Sequence, residues 1–95
     1  MIYSFADIKI GRNAVISQRS YLCAGTHDYR SADFKIVALP ITIEDEAWVA
    51  ADVFVCPGVT VGCGAVVGSR SSVFTNLPEM MVCIGSPARP IHSRA

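Results

Sequence analysis

The chain of 95 residues is expected to be all-β, a single-stranded parallel β-helix of about three coils, on three observations. An aliphatic residue recurs at every sixth position: Ile10, Ile16 and Leu22, then, after one interruption, Ile43, Val49, Val55, Val61, Val67 and Val73. Ile, Leu and Val supply only 23 of the 95 residues, so chance agreement at all nine positions is on the order of a few in a million. The residue after each of these guides is usually small (Gly11, Ser17, Cys23, Ala50, Cys56, Gly62, Gly68), and the fourth after it is small or apolar (Ala14, Ser20, Ala47, Val53, Ala65, Ser71). Finally, a period of six is neither the 3.6 of a helix nor the alternation of a lone strand. It fits a short strand and a tight corner, repeated, with three hexads closing a triangular coil whose strands stack about 4.8 Å apart.

Taken in order, Ile8 occupies the inner small position of a preceding hexad, so residues 4–9 begin a partial coil. Residues 10–27 make the first full coil, and residues 43–60 and 61–78 make the second and third. Between them, residues 28–42 (DYRSADFKIVALPIT) break the period and form an arm extruded from one corner. Their mixed polar and apolar character suits a segment that packs on something, where a free linker would be richer in Gly and Ser. After Pro78 the repeat ends and residues 79–95 read as a Gly- and Pro-containing tail of a single domain, 1–95. A stack of about three coils has two open ends and little core of its own, and flat walls suit threefold packing, so a homotrimer is expected.

Composition narrows the function. Formal net charge is zero, which gives no electrostatic reason to expect nucleic acid as a partner. No apolar run approaches a membrane span and no signal-peptide pattern opens the chain, so a cytoplasmic location is expected. The hydrophobic fraction of 52% is high for a free-standing monomer. Cys23, Cys56, Cys63 and Cys83 form no CxxC pair, and Cys23 and Cys56 fall on the small position of the repeat. They read as structural thiols, with no metal site expected.

Three stretches together, YLCAGTHDYRS (residues 21–31), PITIEDEAWVAADVFVCPGVTVGCGAVVGSRSSV (40–73) and GSPARPI (85–91), resemble the hexapeptide-repeat O-acetyltransferases. That group includes galactoside, maltose and nodulation-factor acetyltransferases, and the likeness is greatest to the colanic-acid type of exopolysaccharide acetyltransferase. The repeat alone says little, because unrelated enzymes share the coil. A His opening a long insertion, Ile-x-x-x-x-Trp and a late Gly-x-Pro-Ala-Arg are more specific. The resemblance implies a left-handed coil and transfer of acetyl from acetyl-CoA to a hydroxyl of a saccharide or similar small acceptor. It makes His27 the general base, a role suited to an imidazole titrating near neutrality. Asp28 would orient that ring, or else cap the loop. Trp48 would border the acceptor and thioester pocket, or else act as an interface wedge. The resemblance also lays acyl-CoA in the groove between adjacent prisms, against Ala51, Ser69 and Thr75 with Arg89 near its phosphates; Ala51 and Ser69 also suit a corner that simply needs small residues.

Two departures from the family pattern stand out. Thr75-Asn76 replaces a Lys-Asp pair near the end of the last coil, and the longer N-terminal segment of family members, with its acceptor-contacting residues, has no counterpart in this sequence. An alternative is therefore a truncated, inactive β-helix serving as a trimeric scaffold or remnant. Zinc-dependent hydration chemistry on the same fold needs three His ligands, against only His27 and His92 here.

Overall fold

In the computed structural model, residues 2–3, 6–27, 32 and 36–95 are described. Strands of two or three residues follow one another around a triangular prism, and no helix occurs among the described residues, so none is long and apolar enough to cross a membrane. A short lead strand β1 (Ile2–Tyr3) precedes the first coil, made by β2 (Ile8–Ile10), β3 (Val15–Ile16) and β4 (Tyr21–Cys23). An antiparallel hairpin, β5 (Gly25–His27) with β6 (Ile36–Ala38), then leaves the prism. The second coil is β7 (Ile41–Ile43), β8 (Trp48–Val49) and β9 (Phe54–Val55); the third is β10 (Thr60–Val61), β11 (Val66–Val67) and β12 (Ser72–Val73). A closing hairpin pairs β13 (Met81–Gly85) with β14 (Ala88–Ser93).

Parallel pairing sorts these strands onto three faces. Face one carries β2, β7 and β10; face two carries β3, β8, β11 and β13, with β14 at its edge; face three carries β1, β4, β9 and β12. The register aligns the guides: Ile10 on Ile43 on Val61, Ile16 on Val49 on Val67, and Leu22 on Val55 on Val73. From Leu22 to Val73 every guide is fully buried, and each such aliphatic side chain contributes roughly 1.5–3 kcal/mol by leaving water. The first two guides depart from the expected buried column. Ile10 is 44% exposed and Ile16 only half-buried, because on faces one and two no described strand lies beneath the first coil, whereas β1 covers Leu22 on face three.

The far end also departs from the periodicity. Leu77 bridges Val61, and Cys83 pairs with Val67, so both extend the guide columns beyond Val73. Leu77 comes four residues after Val73 instead of six, because the last corner is shortened; this slip hides the continuation from a six-residue count. The arm likewise leaves before the count suggests: Gly25–His27 already belongs to the hairpin, while Ile41 and Thr42 pair with Ile8 and Lys9 inside the coil. Of the expected arm, residues 28–31 and 33–35 lie outside the described residues.

The corners share one backbone device. The third residue after the guide has positive φ at Asn13, Arg19, Glu46, Asp52, Gly58, Gly64, Arg70 and Met80. A non-Gly residue held there costs about 1–2 kcal/mol. In return its amide turns toward the coil below and donates to the carbonyl of that coil's corner: Glu46 to Arg12, Gly64 to Asp45, Met80 to Cys63, Asp52 to Gln18 and Arg70 to Ala51, at 2.9–3.2 Å. The buried hydroxyls are satisfied too: Ser20 Oγ donates to the Ala50 carbonyl at 2.6 Å and accepts from the Val53 amide, and Ser71 Oγ accepts from the Gly85 amide.

Smallness after the guide reflects contact between successive coils. A Cβ built on Gly62 would lie 2.6 Å from the Glu79 amide nitrogen and 2.9 Å from the Leu77 carbonyl oxygen. Gly62→Ala is therefore expected to lower stability by roughly 1–3 kcal/mol, the cost of overpacking against backbone that cannot yield. Thermal and urea unfolding check this, with Cys63→Ala, one position along, as the near-neutral comparison.

Candidate active site

The corner between faces two and three gathers most of the expected binding residues. Ala51 and Ser69 occupy the same position on consecutive coils, Ala51 half-buried and Ser69 exposed, and the Arg70 amide donates to the Ala51 carbonyl at 3.0 Å. Arg89, exposed on β14, pairs with Ile84, one residue beyond the Cys83 carbonyl that accepts from the Gly68 amide. Arg89 thus continues the line from Ala51 through Ser69 toward the closing hairpin. Small side chains along such a line leave room for a thin, extended ligand to run against backbone.

Trp48 lies on face two in register between Val15 and Val66 and is 46% exposed. Its indole leans toward the same corner: Nε1–H donates to Ser17 Oγ at 3.0 Å, and Ser17 begins that corner in the coil below. Charge at the corner is graded. Arg19 is engaged by Asp52, with Nε to Oδ1 at 3.0 Å, while the next coil places Arg70 at the equivalent position, exposed, with Arg89 beyond. The hairpin end of the line is therefore cationic.

The other expected residues lie elsewhere. His27 ends β5 on the hairpin leaving the corner between faces three and one, and Thr75 is exposed in the shortened turn of that same corner. Asp28 lies outside the described residues. Face three separates His27 and Thr75 from Trp48, Ala51 and Ser69 in one chain. The structure thus brings Trp48, Ala51, Ser69 and Arg89 to one side and His27 and Thr75 to another.

The remaining corner, between faces one and two, has the opposite electrostatics. A depression of about 400 Å³ there is bordered by Glu44, Asp45 and Glu79 with Lys9 and Cys63, so carboxylates outnumber the one lysine on its lining. Asp45 accepts from the Arg12 amide and lies 4.0 Å from its guanidinium, and Glu44 Oε1 accepts from the Cys63 amide. Burial first, then the carboxylates of Asp45, Glu46, Glu79 and Glu44, hold the Cys63 thiol above its ordinary value. All four cysteines are free thiols.

No protein-family model matches the chain. It is similar to the provisionally named colanic acid biosynthesis acetyltransferase WcaF of Escherichia coli K12, with 55% identity over 93 residues, 98% of this chain and 51% of that protein. It is 31% identical over 87 residues to the galactoside O-acetyltransferase of the same organism, covering 88% of this chain and 43% of that one. A galactoside acetyltransferase solved in complex with coenzyme A superposes with a TM-score of 0.93 at 28% identity, over 99% of this chain and 48% of the other. The fold class is accordingly the left-handed parallel β-helix of the hexapeptide-repeat acetyltransferases. The chain spans about half the length of the relatives it matches.

Two residues of this corner, Ser17 and Arg70, were not singled out from the sequence. Their signal is the repeat itself: Arg70 is eighteen residues after Asp52, and Ser17 is the small residue after guide Ile16. Cys63 gives a check on the charge of the corner between faces one and two. Because only the thiolate is alkylated, Cys63 should react with iodoacetamide more slowly near neutral pH than an unperturbed thiol, gaining rate as pH rises. Glu79→Gln removes one raising charge and should speed it, read by peptide mapping.

Proposed function

We propose that the protein transfers the acetyl group of acetyl-CoA to a hydroxyl of a saccharide or similar small acceptor, acting in the cytoplasm as a homotrimer. The observation that carries this reading is the corner between faces two and three, where small residues rise from the Trp48 indole toward Arg70 and Arg89. Pantetheine would run along Ala51 and Ser69, the phosphates would meet the arginines, and the thioester would end beside Trp48, whose half-exposed ring offers a sugar a stacking surface. The relatives support the chemistry: one is named a galactoside O-acetyltransferase, and the solved galactoside acetyltransferase holds coenzyme A.

In this reading His27 is the base, with Asp28 orienting its ring. Its neutral imidazole takes the acceptor hydroxyl proton as the oxygen attacks the thioester carbonyl; the tetrahedral species collapses, and the departing CoA thiolate receives that proton. Since the arm carrying His27 leaves one edge of face three and the Trp48 indole, on face two, leans toward the corner at the other, the site is completed when the arm of one copy reaches the corner of the next. Such a contact is heterologous, and a closed ring of three satisfies it. The outward side chains agree. Face two presents Val15, Trp48, Val66 and Val82, and face three presents the edge-to-face pair Tyr21 and Phe54, whereas face one presents Lys9, Thr42 and Thr60. Thr75, at the arm's corner, then faces the neighbour's bound CoA.

Light scattering at micromolar concentration should give three chain masses; a single mass of 10.2 kDa contradicts the shared site. His27→Ala should keep the oligomer and CoA affinity while turnover falls roughly 10²–10⁴-fold, the usual contribution of one general base. Transfer by the unaltered protein should rise with pH as the imidazole becomes neutral. The assay is CoA thiol release with a panel of sugars. Full activity in the Ala variant removes His27 from the mechanism, and no release by the unaltered protein favours the scaffold alternative.

A further inference from the structure

We infer that Ser17 is a positioning residue, one that fixes the Trp48 indole over the corner between faces two and three and thereby sets how well the site takes its acceptor. This rests on the acyl-transfer reading above and assigns to it a residue that contacts neither CoA nor the base. An indole on the outside of a strand can turn about χ1 and χ2, and at 46% exposure little packing stops it. Its one polar atom, Nε1–H, is spent on Ser17 Oγ at 3.0 Å, across thirty-one residues of sequence. The acceptor is itself well anchored: the Ser17 amide donates to the Val49 carbonyl at 2.8 Å, which ties the hydroxyl's backbone to the residue following Trp48. One ring edge is thereby held toward the coil below, and the ring cannot swing away along face two. Ser17 also occupies the small position after guide Ile16, so its hydroxyl is not required for packing; Ala would serve the coil as well.

Trp48 is the only tryptophan in the chain, so its fluorescence reports this one contact. In the full-length chain, Ser17→Ala should leave the melting temperature and oligomer unchanged. Trp48 anisotropy should fall and acrylamide quenching should rise roughly twofold. With methyl β-galactoside as acceptor probe, KM should rise about fivefold, the usual worth of one hydrogen bond, while kcat and the KM for acetyl-CoA stay within about twofold. Unchanged anisotropy and quenching in Ser17→Ala overturn the proposal, as does a loosened indole with an unaltered acceptor KM. If the unaltered protein transfers acetyl to no sugar, it is the transferase reading that fails. Titration of Trp48 emission with the same galactoside then decides Ser17's part: binding weakened about fivefold in Ser17→Ala supports it, and no binding or equal binding overturns it.

Discussion

Successive coils approach so closely at several of the residues that follow a guide that no side chain fits between them without displacing its neighbour. At Gly62 the space a methyl group would occupy is already taken by the Glu79 backbone, at Gly11 by that of Glu44 and Asp45, and at Gly68 by the Ile84 side chain. That approach brings each corner within hydrogen-bonding distance of the one below. The left-handed residue two positions further then donates its amide to the lower coil's carbonyl. The aliphatic guides add burial, but the corner contact fixes the rise and register of the stack, and so decides which side chains align.

Alignment turns single residues into columns, and the columns give each corner its own chemistry. Between faces one and two the column collects Asp45 and Glu79, with Cys63 between them, and the corner is acidic. Between faces two and three it collects Ala51 and Ser69, with Arg70 and Arg89 toward the closing hairpin, and the corner is lined by small residues and cationic at its end. The third corner gives up its column to the arm that carries His27. A fold that repeats a backbone exactly enough to stack can therefore vary its corners independently, and on the reading proposed above it uses two of them, from different copies, for one reaction.

The coil was legible in the sequence because burial imposes a strict period: a guide out of step would place an aliphatic outside and a polar residue inside. Leu77 and Cys83 escaped that count because the last corner loses two residues, which changes the spacing without ending the column. The exposure of Ile10 escaped it for a different reason, since whether a guide is covered depends on the strand beneath, not on its own position. Among the site residues, Trp48, Ala51, Ser69 and Arg89 fall together on one side, as a groove requires, whereas His27 and Thr75 fall on another. Spacing along one chain does not encode which corners of two copies meet. Ser17 was invisible for the same kind of reason: a serine at a small position is ordinary until an indole from the next coil is seen to donate to it.

The central claim is that the corner of one copy and the arm of another form a single acyl-transfer site. A crystal structure with coenzyme A bound tests it most directly. The account predicts pantetheine lying along Ala51 and Ser69, phosphates beside Arg70 and Arg89, and the sulfur between Trp48 of one copy and His27 of its neighbour. Coenzyme A bound at the acidic corner, or at the predicted corner with no His27 from any copy within reach of the sulfur, would contradict it.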